Sequence, residues 1–300
     1  MIHSNSEGDI YIEEMPLLLV HLREEEKGAD ARLSEVLSYA LDGYAYETAT
    51  EISAFEDYVN RWRCLEKTQN QKNPVQGRIL FAVPLGTSGI NLELYRLIRF
   101  LREHPDFLNG FVGGLLVDSE NDLYSKSAAK DLVFAANCAG CAFVGRPLVE
   151  GTRTLSNYTI VSNNLGTDLM GAYRESAAGL VKEVLGTDCV RKKCPKVLVL
   201  HASSHKTSNT YAIWNRVKEQ LPEMEIREIG LRNGTLSDCA GCPYKMCLHF
   251  GEQGSCFYGG VMVEDVYPAV READAVVMLS PNNNDAMSAK LGALINRLTS

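Results

Sequence analysis

Four cysteines, Cys239, Cys242, Cys247 and Cys256, fall within eighteen positions at the spacing C-x2-C-x4-C-x8-C. Thiolates gathered by one loop can hold a cubane iron–sulfur cluster, and Gly241, Gly251 and Gly254 supply the turns such a loop needs. A tetrahedral zinc ion would accept the same thiols, with His249 able to replace one of them. Free loop thiols are the third reading, and spacing alone leaves the three open. Cys138 and Cys141 have no second pair nearby and read as packed thiols.

A second chemical feature lies upstream, in Lys196 to Thr210, which reads KVLVLHASSHKTSNT. The apolar run Val197 to Leu200 predicts a central parallel strand covered on both faces. It leads into Ser203, Ser204, His205, Lys206, Thr207, Ser208, Asn209 and Thr210, and then into Ile213, Trp214, Val217 and Leu221 at helical spacing. A helix amino end carries unpaired N–H groups and a partial positive charge, so hydroxyl donors there complete an anion site. The same residues would also serve simply to cap a helix and turn a corner.

The elements that must position these loops follow from the rest of the pattern. A chain of 300 residues, 45% hydrophobic, favours two domains. Its net charge of −8 argues against a nucleic-acid binder. The acidic, polar first residues and the lack of a long apolar run give no signal peptide or membrane span, so a cytoplasmic location is expected. Nine cysteines in that compartment would be reduced, or would carry a metal or redox role.

From Pro16 to Leu185 strand-like and helix-like segments alternate, which predicts an α/β unit with a largely parallel sheet. Strands are expected over Leu17–Leu22, Ile79–Val83, Gly113–Asp118 and Cys141–Gly145, with a closing helix started by Thr167 or Asp168. A basic link at Cys189–Pro195 precedes a second unit, whose strands are expected at Val197–His201, Glu225–Ile229 and Ala275–Leu279. The repeated order suggests a diverged internal duplication with little direct identity. Domains are accordingly placed at 1–190 and 195–300.

The last third of the chain, Lys196 to Ser300, resembles the NADPH-dependent FMN reductases of the flavodoxin-like superfamily, including their iron–sulfur branch. Three motifs carry the resemblance in order. The first is the loop Ala202 to Thr210, where the family has a Gly-Ser-Pro-Arg turn before Asn-Thr or Asn-Ser. The second is the cysteine loop with Gly254, Cys256, Glu264 and Asp265. The third is Ser280-Pro281 followed by the helix Ser288 to Arg297. This chain departs from the family at His205, where the family has Arg, and at Asn283, where it has an aromatic residue.

The resemblance implies two tandem flavodoxin-like units with doubly wound parallel sheets. It implies FMN, its phosphate held by Ser203, Ser204, His205, Lys206, Ser208, Asn209 and Thr210 and its ring by Pro281, Asn282, Asn283 and Asn284. NAD(P)H would be the co-substrate, a small molecule or protein the electron acceptor, and a [4Fe–4S] cluster an optional addition at the four cysteines. No protein nucleophile is expected. The first unit carries Arg23-Glu-Glu-Glu-Lys27 where the phosphate loop belongs, so it reads as a degenerate, non-binding copy, and three carboxylates repel a phosphate. Family members are dimers in which the partner covers the flavin, so a pseudo-dimer in cis or a homo-oligomer is expected. Nucleic-acid and membrane partners are not. The second unit shows only the first three strands of the flavodoxin-like order, which reads as a unit incomplete at its carboxyl end. The rival is a non-catalytic metal-binding or interaction module on a vestigial flavodoxin-like fold.

Overall fold

The computed structural model describes residues 2–4, 10–12, 15–23, 27–68, 76–189, 192–202, 208–231, 236–282 and 284–298. The chain divides into two compact units, Met1–Val190 and Arg191–Ser300. Among the described residues, no helix is long and apolar enough to cross a membrane.

The first unit opens with two short antiparallel strands, β1 (Ile2–Ser4) and β2 (Ile10–Ile12). Its main elements then alternate as β3 (Leu17–His21), α1 (Lys27–Ala40), β4 (Tyr46–Ala49), α2 (Ile52–Thr68), β5 (Gly77–Leu85) and α3 (Leu92–Glu103). They continue as β6 (Phe111–Ser119), α4 (Ser125–Cys138), β7 (Ala142–Gly151), α5 (Thr159–Leu165) and α6 (Leu169–Gly186). The five main strands run parallel in the order β4-β3-β5-β6-β7, which is the flavodoxin-like arrangement.

Both faces of this sheet are covered, which explains why β3, β5 and β6 are apolar along their length rather than alternating. Leu18 and Val20 face a core shared with Phe55, Tyr58, Trp62, Leu97 and Leu132. Leu17 and Leu19 face the opposite core, with Leu33, Leu37, Tyr173 and Leu180. Asp168 caps α6 by accepting from Gly171 N–H at 2.6 Å.

The second unit contains β8 (Lys196–His201), α7 (Asn209–Lys218), β9 (Glu225–Gly230), α8 (Tyr244–Glu252), α9 (Tyr267–Glu272), β10 (Ala275–Leu279) and α10 (Ala289–Leu298). Its three parallel strands run in the order β10-β8-β9. Central β8 is buried from Val197 onward, whereas Val276 and Met278 of edge strand β10 are 40% and 42% exposed.

Several elements differ from the sequence expectation, among them the unforeseen strands β1 and β2 and helices α5 and α8, the last inside the expected cysteine loop. Strand β4 was not foreseen, because Tyr-Glu-Thr-Ala is short, polar and mostly exposed at a sheet edge. Strand β7 runs six residues past Gly145, through Pro147 to Gly151, because a register shift between Gly113 and Leu115 of β6 lets the pairing resume. The helix expected from Asp265 begins instead as a widened turn, Met262–Val266, leading into α9 at Tyr267.

The strand registers also sharpen the duplication. His21 closes β3 opposite Ala82, and His201 closes β8 opposite Leu279. Ala82 and Leu279 stand two residues before Pro84 and Pro281, and both prolines precede a capping residue by seven positions, Asn91 and Ser288. From there the buried face Leu94, Leu97, Ile98 and Leu101 of α3 repeats residue for residue as Leu291, Leu294, Ile295 and Leu298 of α10. The shared pattern runs without a gap over β5–α3 and β10–α10, which is more identity than the sequence comparison found.

Gly114 of β6 lets α6 approach the sheet, since a Cβ there would lie 2.7 Å from Val184 and 2.9 Å from Leu180. Gly114→Ala is expected to destabilise the first unit by about 1–3 kcal/mol through overpacking. Denaturant unfolding followed by Trp62 emission, with Trp214 replaced by Phe, measures it.

Candidate functional site

The carboxyl ends of parallel strands are where an open α/β sheet leaves loops free to meet a ligand. In the second unit these are the end of β8 with the start of α7, and the loop between β10 and α10. Ser203, Ser204, His205, Lys206 and Thr207 lie outside the described residues, as does Asn283.

Of the predicted phosphate contacts, Ser208 is the helix cap. Its backbone is extended and its Oγ accepts from Tyr211 N–H at 3.2 Å, while its carbonyl accepts from Ala212 N–H at 3.0 Å. The hydroxyl proton of Ser208 is not used in that bond and can still be donated. Exposed Asn209 and half-buried Thr210 form the first positions of α7. This is an amino end with a capped first turn and polar side chains beside it, so its remaining N–H groups can receive an anion.

Sequence reasoning missed the support beneath this helix. Glu228 of β9 accepts from Tyr211 Oη at 2.5 Å, Lys218 Nζ at 2.9 Å and Trp214 Nε1 at 3.3 Å. One carboxylate thereby holds three turns of α7 against the sheet edge. The alternation in Glu225–Ile229 identified an edge strand, but nothing in it marked Glu228 as the residue that α7 would engage. His201 is buried beside this network, its ring 4.9 Å from the Tyr211 ring, and a Cβ at Gly230 would press to 3.3 Å from it.

The loop from β10 to α10 is fixed at both ends. Ser288 N–H donates to Ser280 Oγ at 2.9 Å, closing the loop's base, and Ser280 Oγ donates to Pro281 O at 2.9 Å. Pro281 is half-buried and Asn282 exposed, with Asn282 Nδ2 3.4 Å from Asp285 Oδ1. Asn284 and Asp285 both adopt left-handed backbone, with φ of 53° and 59°. Two consecutive non-glycine residues in that region carry local strain, a feature that gathers at ligand-contacting turns. The Ser288 Oγ is buried with no partner among the described residues. An orphaned hydroxyl beneath a strained, amide-rich loop suits the polar edge of a heteroaromatic ring, so the described residues fit the ring end of a flavin.

The cysteine loop presents a different picture. Cys239, Cys242, Cys247 and Cys256 do line one small pocket, together with Met246, Phe250, Phe257, Tyr258 and Arg297. Asp238 lines it as well, accepting from Asn296 Nδ2 of α10 at 3.0 Å and from Cys239 N–H at 2.7 Å, and these donors hold its carboxyl below the usual range. Arg297 is buried and donates to Gly259 O at 2.9 Å. The thiols share a pocket, yet among the described residues no three His, Cys, Asp or Glu side chains come together as a metal-holding group. Met246, Phe250 and Phe257 line the same space. The donor chemistry suits a cluster or zinc, but this arrangement does not.

Parallel α/β architecture, an anion-ready helix after the first strand and a strained polar loop after the third define a flavodoxin-like ligand edge. The sequence model of the NADPH-dependent FMN reductase family matches residues 195–300, the second unit. No curated protein and no solved structure matches the chain.

Burial alone would raise the Glu228 carboxyl, but Tyr211, Lys218 and Trp214 together hold it below its ordinary 4.5. The folded unit therefore binds this proton less readily than the unfolded chain does. The contribution is complete above 4.5 and is lost as pH falls from there through the depressed folded value. Tyr211→Phe is expected to flatten this acid-side loss, and Glu228→Gln to remove it. Urea unfolding at pH 7 and pH 4 in a Trp62→Phe background, read by Trp214 emission, measures both.

Proposed function

We propose that the second unit is an FMN-binding, NAD(P)H-dependent oxidoreductase. The observation that carries the reading is the joint one, a family match over 195–300 that coincides with the unit holding both the capped α7 start and the strained loop after β10. The amino end of α7, with Ser208, Asn209 and Thr210, takes the phosphate, joined by Ser203, Ser204, His205 and Lys206. Pro281, Asn282, Asn283 and Asn284 take the ring. Bound FMN would supply the hydride-accepting chemistry, and the chain supplies binding and orientation.

The residues divide this work by their chemistry. Hydroxyls and N–H groups receive a dianion without needing a full positive charge, and Lys206 adds a point charge where His205 replaces a guanidinium. The asparagine run offers both donors and acceptors, so it can pair with a ring edge in either redox state. A small molecule or a second protein takes the electrons. Iron–sulfur chemistry stands outside this reading, because among the described residues the thiols do not come together as a metal-holding group.

Asn209→Asp tests the phosphate end cleanly. Aspartate at the start of a helix favours the fold but places a negative charge at the anion position. FMN affinity is expected to fall at least about tenfold, since two charges at contact distance repel by about 1–4 kcal/mol between bulk-water and surface dielectrics. The readout is flavin absorbance retained after gel filtration, with bleaching on anaerobic NADPH addition. Wild-type protein that retains no flavin would sink the proposal.

A further inference from the structure

The first unit has the complete five-strand sheet, and its ligand edge can be compared with that of the second unit position by position. Between His21 and α1 stand five residues, 22–26, and between His201 and α7 stand seven, 202–208. The shorter connection is not the only difference. Glu120, just past the end of β6, reaches across to the first turn of α1, where Ala29 N–H donates to its Oε1 at 3.2 Å. The contact is close, because a Cβ at Gly28 would stand 1.8 Å from the same oxygen. Glu120 is held in place from behind, its own N–H donating to Leu85 O at 3.0 Å.

We propose that Glu120 is a built-in anion filling the position at the α1 amino end that a ligand anion takes in a binding copy of this fold. The first unit's edge then offers no place to a ligand anion at the α1 amino end. This inference concerns the first unit and stands whether or not the second unit binds flavin.

Of the two arginines that line this crevice, Arg32 and Arg153, Arg32 is already committed within the chain. Arg32 of α1 lies on the same crevice as Glu120, but it clamps Asp118, donating from Nη2 at 2.7 Å and from Nε at 2.9 Å. It also donates to the carbonyls of Ser119 and Arg153, each at 3.1 Å. Asp30, in the first turn of α1, stands 2.8 Å from His21 Nε2. Two in-chain carboxylates, Glu120 and Asp30, thus serve the positive end of this helix. An arriving phosphate would meet both of them, together with Asp118, and would find the guanidinium nearest to them occupied.

The test is chemical rescue. In the Trp214→Phe background Trp62 is the sole tryptophan and reports the first unit alone. Thermal midpoints are measured for wild type, Glu120→Ala and Glu120→Gln, in sodium formate and in sodium chloride at matched ionic strength. Glu120→Ala is expected to melt roughly 2–4 °C lower in chloride, as for loss of one helix cap. Formate, a carboxylate able to enter the vacated space, should recover at least half of that loss in Glu120→Ala and leave wild type unchanged. Glu120→Gln fills the space without the charge, so it should melt below wild type with no formate-specific gain.

A Glu120→Ala midpoint equal to wild type, or one that formate and chloride move equally, overturns the proposal. If Glu120→Ala does not fold, Glu120→Gln decides alone, and a wild-type midpoint for it overturns the proposal. Two FMN bound per wild-type chain would also overturn it.

Discussion

A parallel strand buried on both faces cannot turn back on itself, so it must leave the sheet and return as a helix. That constraint governs both units here. Val197 to Leu200 and Leu17 to Val20 are apolar on every residue because each strand sits between two neighbours and beneath two layers of helix or loop. The chain therefore reaches the carboxyl edge with a helix about to start, and an amino end with free N–H groups is brought to the same place every time. Site chemistry in either unit is a question of what stands at that amino end.

The two units answer it differently with the same scaffold. In the second, the helix start is capped by Ser208 and flanked by asparagine and threonine. In the first, acidic side chains from the sheet and from the helix itself are turned toward it. The third-strand loops have the same length from Pro84 to Asn91 and from Pro281 to Ser288 but differ in composition. Asn91 uses its amide fully, donating to Leu22 O and Pro84 O and accepting from Leu94 N–H, whereas Ser288 leaves its hydroxyl unspent.

Much of the fold was legible because burial on both faces writes itself as an unbroken apolar run. Strands β3, β5, β6 and β8 were visible for that reason, and the faces of α3 and α10 for their helical period. Strand β4 was not, since an exposed edge strand of four residues leaves no hydrophobic trace. The duplication was half hidden, because the two matching blocks sit at different offsets. His21 to His201 is 180 positions, but Pro84 to Pro281 is 197. Only pairing between strands joins those blocks into one pattern. At the site, residue types identified the start of α7 correctly, but not that Glu228 would gather three donors from that helix, nor that Cys247 would stand on α8 inside the expected cysteine loop. Spacing likewise placed four thiols close together without revealing that Met246, Phe250 and Phe257 would line the same pocket.

One feature of the first unit bears on how the chain is made. Along the end of β6 and the loop beyond, Asp118, Glu120 and Asp122 each find an in-chain donor, namely Arg32, Ala29 N–H and the Thr154 hydroxyl and N–H. A ligand edge that satisfies itself needs no cofactor to be stable. Units fold as they emerge from the ribosome, amino-terminal first. The unit that appears first thus has a ligand edge already satisfied within the chain.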